Sequence, residues 1–533
     1  MGAALIVFVA PVVGIDSASA YNDVALAAIL FAVFYLLHIW DQTRQAGLFI
    51  PIGLAAGFAF GTKYTAFLAV PYALGFLIWK LRGKSIGPVV IVGVTALAMI
   101  APWLVKNWLI VQNPVSPFFN SWFPNPFVHI AFEEEYRWHM VHYVGLNNYW
   151  EIPLGVTVKG QVLGGIIGPL FLLAPLGLLA LRSQQGRRLW FAAILFGSIY
   201  STNVGTRFLI PALPYVALTM AIAFDQIKGL LPALALTHAL LSWPDMIVKY
   251  SDRWVWRLEE IAWRPAFRIE GEESFLYRRW PPYGIARMIE KETPPNAKIL
   301  SFNQIAEAYL TRKYLVVYQS AEGAVLGAIM QMPLAGFQIP SRISEFRFPK
   351  TNARGFRLRQ TSFGVVKEAM WMIHEIRVRN GGTELMPDQN WRAEASAKPW
   401  DVGDMFDGNL ATRWRSWETM KPGMYVQTNF GAAREIDSIA IEMAEDSVTA
   451  QVELDILTPD GKWTAMGVKP VQYEMAPPMG LRRKATQELK RRGVTHIMLQ
   501  INEFGGEDYE RRQEDWGITK VKESFGARLY KIE

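Results

Sequence analysis

APWLVKNWLIVQNPVSPFFNSWFPNPFVH occupies residues 101–129 of the 533-residue chain. It follows a long apolar run, residues 86–105, and then crowds Trp, Asn, Pro and Phe together. Neither a lipid-facing helix nor a soluble loop needs that mixture. Proline at 102, 114, 117, 124 and 126 excludes one continuous helix. Trp103, Trp108 and Trp122 carry amphipathic rings that favour the headgroup level of a bilayer. The reading is a helix leaving the membrane, then chain lying along the interface. Composition alone also fits an ordinary aromatic-anchored membrane loop.

The flanking sequence extends this reading to a membrane body. About nine spanning candidates precede residue 244: 3–14, 24–40, 47–60, 64–79, 86–105, 162–181, 189–200, 208–224 and 230–243. Several are shorter than the roughly 20 residues a bilayer asks for, so some helices are tilted, broken or wrongly bounded. Pro71, Pro175 and Pro211 lie inside candidates, which bundled helices tolerate. Ala18-Ser19-Ala20 looks like a signal-peptidase site, but no basic segment precedes it and Asp16 intervenes, so a membrane helix is preferred. Up to residue 242 there are 13 Lys and Arg and 8 Asp and Glu; the remainder holds 41 and 39. A membrane body is thus followed by a nearly balanced soluble part. The net charge of +7 is diffuse, with no basic stripe interleaved with stacking aromatics, so nucleic acid is not an expected partner. Cysteine is absent, which excludes disulfides, thiolate metal sites and a cysteine nucleophile.

Basic residues cluster at 80–84 and 182–188, and the positive-inside rule puts both in the cytoplasm. Counting helices from there, 42–45 and 226–229 are cytoplasmic as well. Segments 15–22, 61–63, 106–161 (the long outer loop), 201–207 and everything after 243 then face outward. The chain is expected to be a multi-pass inner-membrane protein with an extracytoplasmic C-terminal half.

Residues 252–280 are aromatic and charged and read as lying on the membrane. Residues 285–291 and 304–310 read as helices, and 298–302, 314–318 and 370–378 as strands, a small α/β lobe over 244–382. No Walker-type or other Gly-rich phosphate loop is found there. From 383 to 533 the pattern changes: 436–443 and 451–457 alternate apolar and polar residues, 496–501 and 528–532 are further strands, and Pro459-Asp460-Gly461 marks a turn. A β-sandwich is expected.

Four charges lie where a membrane protein pays to keep them. Asp16 and Asp23 flank the first outward loop; Lys63 and Arg207 begin helices at the outer level. Each could be an interface anchor. Jointly, two cations beside two carboxylates suit a lipid phosphate and a divalent metal such as Mg²⁺ or Mn²⁺. His129, Glu133, Glu134, Glu135, His139 and His142 share the long outer loop, and either bind a metal or form solvated surface. Asp407, Gly408 and Asn409 fit a calcium site or a tight turn. Trp417 could stack on a sugar; Trp414 and Trp463 read as core.

Three stretches carry a resemblance. PWLVKNWLIVQNPVSPFF (102–119), GTKYTAF (61–67) and TRFLIPALP (206–214) resemble bacterial membrane glycosyltransferases of the protein O-mannosyltransferase and aminoarabinose-transferase type, the GT-C fold. The resemblance covers roughly residues 1–243. It implies a polyprenyl-phosphate-linked sugar donor, an extracytoplasmic acceptor (lipid, glycan or protein), and Asp23, with Asp16 nearby, as the catalytic acidic position. Lys63, Arg207, Lys106 and Asn107 are placed with the lipid phosphate. That fold also carries an acidic first outward loop with no counterpart here, so the chain is expected to begin inside the fold. FDGNLATRWRSW (406–417), YVQTNFG (425–431) and DGKW (460–463) resemble discoidin-like, coagulation-factor C-type domains, whose bacterial relatives often bind carbohydrate. The expectation is a GT-C-like helical bundle (1–243), an α/β lobe (244–382) and a discoidin-like jelly roll (383–533), acting as a glycosyltransferase. The second reading is a non-catalytic, membrane-anchored carbohydrate-binding or assembly subunit.

Overall fold

The computed structural model describes residues 2–143, 145–225, 227, 229–250, 263–334, 341–364, 369–443, 450–475 and 479–533. They form two compact units. The first holds 1–119 and 134–262, the second 120–133 and 263–533.

The first unit is helical. It contains α1 (Gly2–Phe8), α2 (Pro11–Ala18), α3 (Asp23–Thr43), α4 (Phe49–Thr62), α5 (Ala69–Leu81) and α6 (Gly87–Val111). After α7 (Ile130–Val141), which carries the chain back from the second unit, come the single turn α8 (Ile152–Leu154), α9 (Gln184–Gly197), α10 (Leu213–Phe224) and α11 (Leu230–Tyr250). Among the described residues, four helical stretches are long and apolar enough to cross a membrane: Asp23–Thr43, Tyr64–Leu81, Gly87–Val111 and Thr206–Phe224. Ala46–Thr62, Pro169–Arg182 and Leu230–Ser242 are shorter apolar helices. The single span expected at 3–14 is two short helices, because Pro11 cannot continue α1 and instead opens α2. Conversely, α6 runs through Pro102 to Val111, so Lys106 and Asn107 belong to its last turns and not to a loop.

Small residues set the closest packing. A Cβ on Gly53 would meet the Val92 carbonyl oxygen at 2.5 Å, and one on Gly57 the Ala96 carbonyl oxygen at 2.3 Å. This Gly-x-x-x-Gly face lets α4 lie against α6. Buried Leu26, Leu30, Val33, Leu37 and Trp40 recur at helical spacing along α3 and face the unit's interior. Val90, Val94, Leu97, Leu109 and Ile110 of α6 are exposed, as a lipid-facing helix requires.

The second unit is mixed. Of the stretch 252–280, residues 252–262 lie outside the described residues; α12 (Trp263–Ala266) and α13 (Glu272–Arg279) follow. Then come α14 (Pro281–Glu292), β1 (Lys298–Ser301), β2 (Lys313–Val316), α15 (Ala321–Gln331), and the long β3 (Ser341–Gln360). Next are β4 (Met370–Ile373), β5 (Glu375–Asn380), β6 (Thr383–Leu385), β7 (Arg392–Ala395), β8 (Trp414–Thr419) and β9 (Tyr425–Met443). The chain closes with β10 (Val452–Leu457), β11 (Trp463–Ala465), β12 (Val471–Met475), α16 (Leu481–Arg491), β13 (His496–Gln500), α17 (Gly506–Arg511), α18 (Gln513–Trp516), β14 (Ile518–Ser524) and β15 (Ala527–Ile532).

The division expected at 382/383 does not separate two sheets. A five-stranded sheet runs β14-β15-β13-β1-β2, with β1 parallel to both its neighbours. A second sheet runs β11-β10-β3-β9-β5-β6, with β12 on β3 and β7 on β9; β4 pairs β8 apart from both. The α/β part therefore takes in 281–334 and 481–532, and the β-rich part lies between. Bulges near 347–351 and 353–355 bend the β3–β9 pair, so one ladder curls around a single core of Phe346, Phe356, Trp371, Trp414 and Phe430. Trp414 is buried there, donating from Nε1 to the Lys398 carbonyl at 3.1 Å.

Candidate functional site

Asp23 is the first residue of α3, where a carboxylate faces the positive end of the helix. Its partners arrive from two other elements. Lys63, the residue between α4 and the 3-10 turn Tyr64–Leu68, places Nζ on Asp23 Oδ1 in a short contact. Arg207, at the start of the 3-10 stretch Thr206–Ala212, sets Nε 4.0 Å from Asp23 Oδ2. Asp23 Oδ2 is buried and has no hydrogen-bond partner. Asn22 fixes the corner by donating from Nδ2 to the Thr62 carbonyl at 2.7 Å.

Aromatic rings hold the cations in place. The Arg207 guanidinium lies 4.0 Å from the Tyr21 ring centroid, and Lys63 Nζ lies 4.7 Å from that of Phe208. Lys63 and Arg207 keep 20% and 28% of their side-chain surface exposed, whereas Asp23 keeps 1%. The cluster is thus reached from its cationic side.

Asp16 comes close to this group but does different work. Its Oδ2 accepts the Val24 backbone N–H at 2.9 Å, so it caps α3 from a separate helix. Burial pushes its carboxyl above the usual range; the Val24 hydrogen bond, then Lys63 and Arg207, oppose this, while Asp23 adds to it. Its other oxygen is buried without a partner.

Lys106 and Asn107 enter a neighbouring knot centred on Tyr64. The Tyr64 hydroxyl accepts from Trp103 Nε1 at 2.7 Å and Asn107 Nδ2 at 3.0 Å, and donates to the Ser116 carbonyl at 3.1 Å. Lys106 Nζ sits 4.6 Å from the Trp103 ring centroid. The Trp, Asn and Pro of residues 101–119 are therefore spent on folding the chain back beside Lys63. Tyr64 was not singled out by sequence reasoning, although it lies in GTKYTAF.

The histidines and glutamates of the long loop separate. Glu133 accepts from the Asn120 backbone at 2.9 Å and from its side chain at 2.8 Å. His129 stacks flat on Trp417, with ring centroids 3.9 Å apart and 2° between planes. Its Nε2–H donates to the Ala321 carbonyl at 3.2 Å, and Nδ1 accepts from Lys398 Nζ at 3.4 Å. Burial first, then Lys398, pull its pKa down to about 3, so the ring is neutral. His142 packs on Trp138 and His139 lies 3.6 Å from Glu135. The Trp417 ring is thus covered by His129, with the Arg415 guanidinium also 4.6 Å from its centroid. It is no open platform for a sugar.

Asp407 and Asn409 build a turn. Asp407 Oδ1 accepts the Asn409 N–H at 2.9 Å and both its oxygens take the Thr412 hydroxyl; Asn409 Oδ1 accepts the Ala411 N–H at 3.1 Å. Burial, followed by Asp407, raises the neighbouring Glu375 carboxyl. Among the described residues no three His, Asp or Glu side chains gather as a metal site would need. Of the positions expected to hold a divalent ion, Asp23 pairs with Lys63 and Arg207, and Asp407 and Asn409 accept hydrogen bonds within their turn.

Asp41, at the far end of α3, was also missed. It receives Arg44 at 2.8 Å, Lys80 at 2.7 Å and Arg188 at 2.6 Å. The basic segments 42–45, 80–84 and 182–188 thus meet at one end of the helical unit, and Asp23, Lys63 and Arg207 at the other. Eighteen residues of α3 separate the two, about 27 Å, close to the thickness of a bilayer's hydrocarbon.

A family model described as dolichyl-phosphate-mannose-protein mannosyltransferase matches residues 1–106. The matched part contains Asp16, Asp23, Lys63 and Lys106; Asn107 and Arg207 lie beyond it. No curated protein and no solved structure matches the chain. The match and the apolar helices together support a membrane glycosyltransferase of GT-C type.

Proposed function

We propose that the chain transfers a sugar from a polyprenyl-phosphate carrier to an acceptor hydroxyl at the Asp23 end of the helical unit, on the extracytoplasmic face. One observation carries this reading: a buried carboxylate with an unpartnered oxygen is flanked by two part-exposed cations at one end of a helix long enough to span a bilayer. Lys63 and Arg207 hold the phosphate, Arg207 through its planar fork and Lys63 as a point charge. Negative charge grows on that phosphate as the bond to the sugar breaks, and both cations then bind it more strongly. Asp23 takes the proton of the attacking hydroxyl. Asp16 keeps α3, and with it Asp23, in position. The wording of residues 406–417, 425–431 and 460–463 supports a discoidin-like, glycan-binding role for the β-rich part, with binding away from the covered Trp417 ring.

Two measurements test this. Asp23→Asn keeps the shape and deletes the charge; turnover with a polyprenyl-phosphate-linked sugar should fall by about 10²–10⁴-fold at unchanged expression. Lys63→Ala and Arg207→Ala should lose donor binding while the chain still folds. If the wild type transfers sugar and all three variants keep its turnover, the cluster is only a structural pin between helices.

A further inference from the structure

The opposite end of the helical unit carries a second feature that the transfer reaction does not use. A groove of about 650 Å³ runs between α5 and α9. Pro71, Tyr72, Gly75, Phe76, Phe191 and Leu195 line its length, and Gln184, Arg187 and Arg188 stand towards the first turn of α9. Arg187 and Leu195 are eight residues apart on α9, about 12 Å. The groove is therefore an apolar trough with a cationic head.

We propose that this groove binds one anionic phospholipid of the bilayer, its phosphate at Arg187 and Arg188 and an acyl chain along the aromatic floor. Three observations point there. First, the head is positive: Arg188 shares Asp41 with Lys80 and Arg44, so one carboxylate answers three cations, and Arg187 adds a fourth. Second, donors remain for a phosphate. Among the described residues Arg188 Nε is buried without a hydrogen-bond partner, and the Arg187 guanidinium, with five N–H groups, makes one hydrogen bond, from Nη1 to the Leu181 carbonyl at 3.0 Å. Third, Gly75 keeps the floor open. A Cβ there would meet no heavy atom within 4 Å, so no neighbour requires a glycine that weakens the helix.

The occupant is a phospholipid and not the sugar carrier. The carrier's phosphate belongs at Asp23, about 27 Å away along α3. Phe191 and Trp79 at the rim are more than half exposed, which suits rings that face lipid tails. The choice of a phospholipid over the carrier rests on the transferase reading; the cationic head and the apolar floor do not.

Native mass spectrometry of the purified full-length chain tests it, with phosphatidylglycerol and phosphatidylcholine of identical acyl chains as probes. The wild type should retain one phosphatidylglycerol at least tenfold more tightly than phosphatidylcholine. Arg187→Gln should bring the two lipids to equal affinity. Gly75→Leu fills the floor where nothing stands, and should weaken both at least tenfold with the circular dichroism spectrum unchanged. Equal retention of both lipids by the wild type overturns the proposal. So does wild-type preference in Arg187→Gln, an exposed substitution that leaves the packing alone. Displacement of the bound phosphatidylglycerol by an equimolar short-chain polyprenyl phosphate also overturns it, as does a lipid-free dimer of the chain.

Discussion

The two ends of α3 carry the same kind of group in opposite states. Asp41 is saturated, with Arg44, Lys80 and Arg188 on its two oxygens. Asp23 binds Lys63 through one oxygen, while Arg207 stays 4.0 Å from the other, which has no hydrogen bond. Both carboxylates are buried or nearly so. A carboxylate that is fully answered by its own protein holds helices together and has nothing left for a ligand. One that is half answered keeps a reserve of charge, and its cations keep open surface. The comparison teaches that burial and ion pairing alone do not mark a site; an unmet oxygen beside part-exposed cations does.

Asp41→Asn gives the largest effect on stability. It leaves Lys80 and Arg188 facing each other without their carboxylate, and should cost about 2–4 kcal/mol. Thermal inactivation should come earlier while turnover per folded molecule is unchanged. Loss of turnover in the folded variant would break the comparison. A second test lies in the second unit, where a buried histidine is charge-sensitive and neither carboxylate is involved. An unfolded histidine takes up its proton near 6.5, folded His129 only near 3. The unfolded chain binds more protons between these values, so the hold on residues 120–133 weakens as pH falls below 6.5. By pH 5 the loss is about 2 kcal/mol. A histidine NMR titration should show His129 uncharged at pH 5, and His129→Phe should remove this part of the acid sensitivity in urea denaturation. The smallest effect belongs to Tyr64→Phe, which takes the acceptor from Trp103 and Asn107 and should cost about 1 kcal/mol. It should raise the donor's KM more than it lowers kcat, since the knot positions Lys63 and touches no reacting atom. An equal effect in Asp41→Asn would erase the distinction between the two ends.

Much of the first cluster was legible in the sequence. Asp16, Asp23, Lys63 and Arg207 stand out because charge is rare in apolar chain, and helix parity puts them at one level. Asp41 was not legible for the converse reason: it sits among basic residues that the positive-inside rule already explains. Periodicity found the strands at 298–302, 436–443 and 496–501, but it marks a strand and not its neighbour. Lys298–Ser301 pairs with His496–Gln500 across nearly two hundred residues, so no local signal could place the boundary. Pro102 illustrates a different limit. A proline removes one donor, and in a long lipid-facing helix that loss did not outweigh the remaining ladder. Trp417 reads as a sugar platform because nothing near it in sequence reveals His129, which comes from the far side of the chain.

That His129–Trp417 stack sets an order in time. The ribosome makes residues 120–133 long before their partners; Trp417 follows His129 by 288 residues. At 5–20 residues per second the loop waits roughly 15–60 s for the ring that covers it. During that interval Trp122 and Phe127, both exposed even in the finished fold, stand with an uncovered histidine and an incomplete lobe. The second unit therefore cannot be finished in passing as its own residues emerge. It is closed by retrieving a segment already delivered, and slowing the late part of synthesis prolongs exposure of the early part.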